Sequence, residues 1–185
     1  MQHEEQLILV DIKDRDQGVA SKNYIHQQGL LHRAISVIIF NRQGELLLQK
    51  RAKTKYHSAG LWSNACCGHP TNNESPKKAA ERRLFEELGF TCYLSKITEL
   101  SYFLSLGNGM YENEYTHIFV GEYNKSIVPN ASEVSEVKWE KLDILKQKIH
   151  LEPELYSKWF GLYMNEYYQK IFIHAITPQI ITPIP

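Results

Sequence analysis

Residues 68–90 read GHPTNNESPKKAAERRLFEELGF, and this segment is the most informative part of the chain because it contains a full set of helix signals. Ser75 is a typical N-cap residue, Pro76 suits the first helical position, and Gly89 suits the residue just past the end. Apolar residues recur every four positions between these limits, at Ala80, Leu84 and Leu88. The sequence therefore predicts an amphipathic helix over residues 76–88.

The same segment brings chemically active groups close together in sequence. Cys67 and His69 lie just before the helix, and the helix ends in the carboxylates Glu86 and Glu87. Thiol, imidazole and carboxylate groups bind metals and transfer protons. Two arginines lie four residues before the glutamates, so an exposed helix with two ion pairs is the simplest explanation of the charges alone.

The rest of the chain predicts a mixture of strands and helices, which favours an α+β fold or an α/β/α sandwich. Strands are expected over residues 7–11, 35–40, 45–50, 61–67, 97–105, 115–122 and 134–140, with a hairpin joining the second and third. Further helices are expected over residues 142–149 and 154–174. We expect a single domain over residues 1–185, with a loose tail from about residue 175.

Composition sets the broad class of the protein. The 185 residues suit one globular domain, and 21 Lys and Arg balance 21 Asp and Glu, so no overall field favours nucleic acid or a membrane surface. No apolar run approaches the roughly 20 residues of a membrane span, and the polar N-terminus does not resemble a signal peptide. Cys66, Cys67 and Cys92 form an odd set with two adjacent members, which predicts a reducing, cytoplasmic location.

Histidines and carboxylates elsewhere form a second candidate group: His26, His32, His69, Glu112 and Glu114. Alternate residues of a strand face the same side, so the two glutamates can face one cavity. Three imidazoles and two carboxylates suit an octahedral site for a first-row divalent ion. Four other histidines are expected at the surface: His57, His117, His150 and His174.

Residues 68–90 resemble the Nudix box, whose pattern is G-x5-E-x7-R-E-U-x-E-E-x-G-U with U apolar. Every specified position fits except one, because Arg83 stands where Nudix hydrolases carry a glutamate. The box presents carboxylates to a divalent cation that bridges a diphosphate, and Glu87 matches that role. Arg83 removes one anionic ligand and supplies a bidentate phosphate clamp. The resemblance implies a Nudix-like α/β/α sandwich with a mixed β-sheet that binds a diphosphate without cleaving it efficiently.

Three further motifs make the resemblance more specific. Residues 29–34 (GLLHRA), 67–70 (CGHP) and 112–114 (ENE) resemble those of type 1 isopentenyl-diphosphate delta-isomerases, and the similarity extends over about residues 22–159. That family interconverts isopentenyl and dimethylallyl diphosphate through a tertiary carbocation. The resemblance implies that Cys67 and Glu114 transfer the protons and that Tyr102 lies beside Glu114.

The resemblance also implies metals and substrate contacts. A Mn²⁺ or Zn²⁺ site maps to His26, His32, His69, Glu112 and Glu114, and a Mg²⁺ bound with the substrate diphosphate maps to Glu87. The residues that bind the diphosphate or cap the hydrocarbon match Lys22, Arg51, Lys55, Arg83 and Trp159. The four cations together predict a local positive patch, and Trp62 is expected in the core or the pocket wall. Cys66 should point away from Cys67 and pack inward.

Two other functions compete with this hypothesis. A Nudix hydrolase of a nucleoside or other small diphosphate would need the missing glutamate and would leave Cys67 and residues 112–114 unexplained. A binding module without catalysis would be expected to have lost its metal carboxylates. The favoured hypothesis implies an isoprenoid diphosphate as the small-molecule partner, no nucleic acid or membrane, and a monomer or weak homodimer.

Overall fold

The computed structural model describes residues 5–173, which contain nine strands and four α-helices. The strands are β1 (Gln6–Val10), β2 (Asp16–Ser21), β3 (His32–Phe40), β4 (Leu46–Arg51), β5 (Trp62–Asn64), β6 (Cys66–Gly68), β7 (Ser95–Gly107), β8 (Met110–Glu122) and β9 (Val134–Glu140). The α-helices are α1 (Lys22–Gln28), α2 (Pro76–Leu88), α3 (Leu142–Leu151) and α4 (Lys158–Asn165). A 3₁₀ turn at Pro153–Leu155 precedes α4, and a π-helical segment at Gln169–Ile173 follows it. No helix in this part of the chain is long and apolar enough to cross a membrane.

Strand β3 is the centre of one mixed sheet. It runs parallel to β8 along its whole length, from the pair His32 and Glu114 to the pair Phe40 and Glu122. Along its other edge it pairs antiparallel with β1, β6 and β4. Residues from β6 and β8 therefore flank β3 from opposite sides.

Helix α2 forms over the predicted residues. The Ser75 hydroxyl accepts a hydrogen bond from the Lys78 backbone N–H at 3.3 Å, and Gly89 ends the helix in the left-handed conformation at φ 73°. The stripe of Ala80, Leu84 and Leu88 is fully buried in one core cluster with alternate residues of β3, namely Ile35, Val37 and Ile39. Burial of each such leucine stabilises the fold by about 1.5–3 kcal/mol, so this stripe fixes α2 on the sheet.

Helices α3 and α4 cover the opposite face of the sheet. Ile38, the neighbour of Val37 on β3, is buried in a second core cluster with Leu145 and Ile149 of α3. Phe160 and Met164 of α4 belong to the same cluster. Consecutive strand residues thus reach different clusters, as the pleat requires. The predicted α/β/α sandwich with a mixed sheet is confirmed.

The expected hairpin over residues 35–50 is wrong for most of its length. Strands β3 and β4 pair only at Phe40 and Leu46, because β4 then pairs with β5 and β9. The strand expected over residues 61–67 is two short strands, since β5 pairs with β4 and β6 pairs with β3. The chain changes partner at Ala65.

The helix expected over residues 154–174 is interrupted. Tyr156 is extended and forms a bridge with Trp62, and the Ser157 N–H donates to the Trp62 carbonyl at 2.8 Å. These contacts with β5 draw the backbone out of the helix before α4 begins. His174 and the tail expected from residue 175 lie outside the described residues.

Strand β2 and helix α1 were not predicted from the sequence. Helix α1 has seven residues and no side-chain N-cap bond, so its signals are weak. Gly29 ends the helix in the left-handed conformation at φ 62°, and a glycine at this position is the local sequence signal for a helix end. This short helix matters because it carries Lys22 and His26.

Candidate active site

A cavity of about 160 Å³ brings together residues from nearly every part of the chain. Its charged and polar lining consists of five carboxylates, four Lys or Arg side chains, two histidines, two tyrosines and one thiol: Glu5, Glu87, Glu112, Glu114, Glu133, Lys22, Arg51, Lys55, Arg83, His57, His69, Tyr56, Tyr102 and Cys67. Gly68 and Trp159 complete it. Every site residue that the sequence suggested lies here except His26 and His32, which are fully buried close to it.

The histidine group, defined as His26, His32, His69, Glu112 and Glu114, has the donor arrangement of a metal site. Four of these residues each offer one ligand atom, and these four atoms all lie within 4.8 Å of one another: His26, His32, His69 and Glu112. The Nδ1 atoms of His26 and His32 lie 2.9 Å from the Lys22 and Leu30 carbonyls, which fixes the Nε2 lone pairs toward the centre. Within residues 5–173, the Nε2 atoms of all three histidines and Oε2 of Glu112 have no hydrogen-bond partner. Buried nitrogen and oxygen atoms that lack hydrogen-bond partners and lie this close together are suitable ligand atoms for a divalent ion.

The two oxygens of Glu114 face different surroundings. Oε1 lies 3.4 Å from His69 Nε2 and 4.0 Å from His32 Nε2, so it borders the metal-ligand set. Oε2 accepts hydrogen bonds from the Tyr102 hydroxyl and, at 2.8 Å, from the Thr116 hydroxyl. Tyr102 is directly opposite Glu114 in the β7–β8 register, which explains the contact. The predicted Tyr102–Glu114 neighbourhood is therefore present.

Burial controls the protonation of the histidines. Burial, with a further effect of His69, lowers the pKa of His32 to about 3, and burial lowers the pKa of His69 against the effect of Glu114. Burial acts in the same direction on His26, but Glu112 outweighs it and raises its pKa. His32 and His69 are thus neutral at neutral pH, which is the state that a metal ligand needs.

The adjacent carboxylates differ in proton affinity because they share one buried site. Burial, followed by repulsion from Glu114, raises the pKa of Glu112 to about 7. Burial also acts to raise the pKa of Glu114, but the neighbouring His69 imidazole, followed by His32 and Tyr102, outweighs it and the pKa is lowered. Glu114 is therefore an ionised carboxylate in this arrangement.

The two adjacent cysteines point to opposite faces, as predicted. Cys66 is fully buried in the core cluster beneath α2, and Cys67 lines the cavity. Burial raises the pKa of the Cys67 thiol to about 12, with Ser36 opposing the rise and the charge of Glu114 adding to it. The thiol is therefore protonated at neutral pH and senses the Glu114 carboxylate electrostatically.

A buried hydrogen-bond network, not predicted from the sequence, holds Cys67 and Trp159. Cys67 Sγ lies 3.4 Å from both Ser36 Oγ and Asn64 Oδ1. Asn64 donates to Ser36 Oγ at 2.9 Å, and its Oδ1 accepts from Ser63 at 3.2 Å. The Trp159 indole N–H donates to Ser63 Oγ at 3.0 Å. Serine and asparagine in short strands carry no distinctive sequence signal, so this network becomes visible only in three dimensions.

The cation group, defined as Lys22, Arg51, Lys55 and Arg83, lines the cavity as expected, but it does not form a simple positive patch. Its partners are carboxylates from distant segments: Lys22 donates to Glu5 at 2.7 Å, and Lys55 donates to Glu133. The cavity has one more carboxylate than it has Lys and Arg side chains. The predicted positive patch is wrong because sequence reasoning did not find Glu5 or Glu133.

Arg83 and Glu87 interact in the way that their spacing on α2 predicts. Arg83 donates to Glu87 and, at 3.0 Å, to Glu133, and it donates to Glu86 at 2.7 Å. Glu87 is 4% exposed and also accepts from Gln49 at 2.7 Å. Arg83 thus lies among three carboxylates, Glu86, Glu87 and Glu133.

Two histidines that were expected at the surface lie elsewhere: His57 is partly buried and His117 is buried. His57 Nε2 lies 3.4 Å from Glu112 Oε1, and its ring meets the Trp159 ring edge-on at 5.8 Å. His117 is 4% exposed and lies 3.0 Å from Asp14, away from the cavity. His150 is exposed, as expected. An isolated histidine has no periodicity, so its position depends on tertiary contacts.

Two of the three tryptophans, Trp159 and Trp62, were considered for the site. Trp159 is 4% exposed and belongs to the core cluster, yet it lines the cavity, and the Arg51 guanidinium lies 5.3 Å from its ring centroid. Trp62 packs against the same core and carries Lys138 over its ring at 4.2 Å. Trp159 is therefore both a packing residue and part of the cavity wall.

The NUDIX domain family matches residues 30–160. The chain is 49% identical over 162 residues to an isopentenyl-diphosphate delta-isomerase 2 of Photorhabdus laumondii, covering 88% of this chain and 92% of the relative. An isopentenyl-diphosphate delta-isomerase of Burkholderia multivorans is 45% identical over 85% of this chain and 89% of its own length. This chain belongs to the isopentenyl-diphosphate delta-isomerase family of Nudix proteins.

Solved structures share the fold of this chain at low sequence identity. A crystal structure from Deinococcus radiodurans matches with a TM-score of 0.76 at 17% identity, covering 89% of this chain and 99% of the other. A MutT protein from Methanosarcina mazei matches with a TM-score of 0.61 at 20% identity, covering 75% of this chain and 94% of the other. These matches support the sandwich architecture alone.

Some charged residues of the Nudix box hold the loop and helix together, and others line the cavity. Glu74 accepts from the Thr71 backbone at 2.9 Å and from two nitrogens of Arg82, each at 2.8 Å. The Arg82 hydrogen bond chiefly lowers the pKa of Glu74 to about 2. These contacts hold the loop before α2 against the helix, whereas Arg83 and Glu87 reach the cavity.

Proposed function

We propose that this protein is an isopentenyl-diphosphate delta-isomerase, which interconverts isopentenyl and dimethylallyl diphosphate. The observation that carries the proposal is that a protonated thiol, Cys67, and a carboxylate with its tyrosine, Glu114 and Tyr102, line one narrow cavity with the cation group. The family to which the chain belongs supports the same reaction. A simple diphosphate hydrolase would need neither the thiol nor the buried tyrosine.

The reaction moves a double bond by adding a proton to the terminal alkene carbon and removing one from the neighbouring methylene. It passes through a tertiary carbocation, and an unactivated alkene is a weak base, so protonation is the difficult step. Two proton-transfer groups are required on opposite faces of a planar substrate. Cys67 comes from β6 and Glu114 from β8, two strands that flank β3 from opposite sides, which supports assigning the two roles to these groups.

We assign stabilisation of the carbocation to the side chains of the cavity wall. General acid–base catalysis supplies only about 10²–10⁴ in rate, so other interactions must contribute. The Trp159 ring offers a π face, and a desolvated cation–π contact contributes about 2 kcal/mol. Water in the cavity would capture the cation as an alcohol, so the bound hydrocarbon must exclude it.

Divalent ions are part of the proposal because of charge. The cavity has one more carboxylate than Lys and Arg side chains, so it would repel a diphosphate without added cations. Glu87 would hold a Mg²⁺ together with the diphosphate, which screens the phosphate charge. The histidine group would hold a Mn²⁺ or Zn²⁺, which would keep the Glu112 and Glu114 carboxylates rigid.

Substrate binding then requires the cation group to change partners. Lys22 and Lys55 are paired with Glu5 and Glu133 in the present structure, and the diphosphate would compete for the same nitrogens. Arg51 lies over Trp159 and donates to the His57 carbonyl at 3.3 Å, which places a guanidinium beside the aromatic wall. The diphosphate thereby serves as an anchor that orients the hydrocarbon end.

The test is incubation of isopentenyl diphosphate with the protein and Mg²⁺ in D₂O, followed by NMR of the products. The proposal predicts dimethylallyl diphosphate that carries deuterium. Release of inorganic phosphate or a monophosphate would instead favour a Nudix hydrolase. Unchanged substrate, together with failure to bind Mg²⁺ or Mn²⁺, would favour a binding module.

We expect a single-domain enzyme that is a monomer or weak homodimer. We also expect a cytoplasmic location, which is consistent with its free cysteines.

A further inference from the structure

We propose that Asn64 is a positioning residue for the isomerisation, because its side-chain amide fixes the orientation of the Cys67 thiol. Through Ser63, the same amide also holds the Trp159 ring. The inference rests on the proposed function, since it assigns a role toward the reacting thiol. Asn64 is 0% exposed and is not among the residues that line the cavity, so it acts through Cys67 and not on the substrate.

The Asn64 amide has one possible orientation. Its Nδ2 atom lies 3.0 Å from the carbonyl oxygens of both Val37 and Cys66. Carbonyl oxygens accept hydrogen bonds and cannot donate them, so the NH₂ end of the amide must face them. A third acceptor, Ser36 Oγ, lies 2.9 Å from the same nitrogen. The three acceptors use both N–H groups and leave the amide oxygen facing the opposite way.

The fixed amide determines where the thiol proton lies. Asn64 Oδ1 is 3.4 Å from Cys67 Sγ, and an amide oxygen can only accept, so the S–H of Cys67 is the donor. Ser36 Oγ is 3.4 Å from the same sulfur and already accepts from Asn64, which leaves its hydroxyl hydrogen available to the sulfur. The sulfur is therefore held from two sides, and its proton points at Asn64.

The same amide oxygen leads to Trp159. The indole N–H can only donate, so Ser63 Oγ accepts from it, at 3.0 Å. Ser63 Oγ also accepts from the Ser157 hydroxyl at 3.0 Å, and its own hydrogen goes to Asn64 Oδ1 at 3.2 Å. Oδ1 has two lone pairs, one for the thiol and one for Ser63. A single oxygen thus fixes the thiol and the aromatic wall relative to each other.

The two ends of the amide have different tasks. The NH₂ end bonds the carbonyls of Val37 and Cys66, which are partners in the β3–β6 register, and so supports the place where the chain changes strand partner. The oxygen end contacts the Cys67 thiol and Ser63. Substitutions that treat the two ends differently can therefore separate a role in folding from a role in positioning.

The experiment combines infrared spectroscopy of the thiol with steady-state kinetics on isopentenyl diphosphate and Mg²⁺. Subtraction of the matching Cys67→Ala protein isolates the S–H stretch of Cys67, which moves to lower wavenumber when the proton is hydrogen-bonded. We expect Asn64→Ala to return this band to the position of a free thiol. We also expect it to lower kcat about 100-fold with KM nearly unchanged, because a displacement of about 1 Å costs about that much.

Two comparison variants separate positioning from stability. Asn64→Asp loses the NH₂ contacts but keeps an oxygen toward the thiol, so it should lose stability as Asn64→Ala does and yet keep the lowered S–H band. Ser157→Ala is the matched control, because its buried hydroxyl contacts Ser63 and not the thiol. It should match wild type in the S–H band and in kcat.

A wild-type Cys67 band at the free-thiol position would overturn the proposal without any variant, so the test remains decisive if the Asn64 variants do not fold. An unchanged band in Asn64→Ala, or an equal fall of kcat in Ser157→Ala, would overturn it as well. A wild type without isomerase activity would overturn the proposed function and the catalytic role of Asn64 together. An active wild type whose kcat survives Asn64→Ala overturns this inference alone.

Discussion

In the histidine group, the Nε2 atoms of His26, His32 and His69 lack hydrogen-bond partners within residues 5–173. In the cation group, which lines the same cavity, Lys22, Lys55 and Arg83 each pair with a carboxylate. Unsatisfied buried polar atoms are costly, so the first arrangement fits a bound ion. The charges of the second group already have partners, and a diphosphate would have to compete with those carboxylates for the same nitrogens. The comparison distinguishes a group whose ligand atoms await a partner from a group whose charges are already paired, and the proposed function assigns the first to metal and proton transfer and the second to the diphosphate.

The largest effect is expected from the proton-transfer groups. Cys67→Ala and Glu114→Gln should each lower the isomerisation rate by about 10³-fold or more while the protein stays folded. Cys66→Ala is the matched control, because that thiol is buried in the core beneath α2 and should affect stability more than rate. Turnover assays with circular dichroism measure both quantities. Near-normal turnover by either active-site variant rejects its assigned role.

Loss of a histidine ligand should have the next largest effect. We expect His32→Gln to lose the tightly bound divalent ion and about 100-fold in activity, since even the supporting groups of a metal site affect binding by about 10–100-fold. Metal content by mass spectrometry and the melting temperature with and without chelator provide the measurements. His57→Gln is the control, because His57 is not part of the set whose ligand atoms lie within 4.8 Å. Equal metal content in His32→Gln and wild type would contradict the metal assignment.

A smaller effect is expected in the cation group. Arg83→Glu should raise KM for isopentenyl diphosphate about 10- to 100-fold, because a charge-assisted hydrogen bond contributes about 1.5–3 kcal/mol. It should not create an efficient diphosphatase, although it restores the residue that Nudix hydrolases carry. Initial-rate kinetics and a phosphate-release assay test both statements. Fast phosphate release from this single change would show that Arg83 alone separates the two activities.

The smallest effect is expected outside the cavity. Glu74→Gln should lower the free energy of unfolding by about 1–2 kcal/mol at neutral pH and leave KM unchanged. Arg82 lowers the pKa of Glu74 to about 2, so this stabilisation is present above the unfolded pKa and is lost as pH falls toward 2. Denaturant titrations of wild type and variant should therefore converge in acid. A constant difference between pH 7 and pH 3 would contradict the assignment.

The sequence predicts some of these regions much better than others. Helix α2 forms over the predicted residues because Ser75 and Gly89 are local signals that need no tertiary contact. Glu112 and Glu114 face one site because the strand period is local as well. Glu5 and Glu133 come from segments without a motif, so the pairing of the cation group could not be predicted.

The supporting network is the least predictable part of the site. Asn64 contacts Cys67 only because β5 and β6 pair with different strands, and the chain changes partner between them. Tyr163 reaches Tyr102 only because Tyr156 and Ser157 bind Trp62 and interrupt the expected helix. The motif resemblance suggested the reacting groups, whereas the groups that orient them depend on tertiary structure.

The central claim is that the thiol and the carboxylate act on opposite faces of one bound hydrocarbon chain. The most direct measurement is a crystal structure of Glu114→Gln with isopentenyl diphosphate and Mg²⁺. The account predicts Cys67 Sγ on one face of the alkene and the side chain at position 114 on the other, each about 3.5 Å from a reacting carbon, with the diphosphate on the cation group. Both groups on the same face, or a hydrocarbon chain lying away from Cys67, would contradict it.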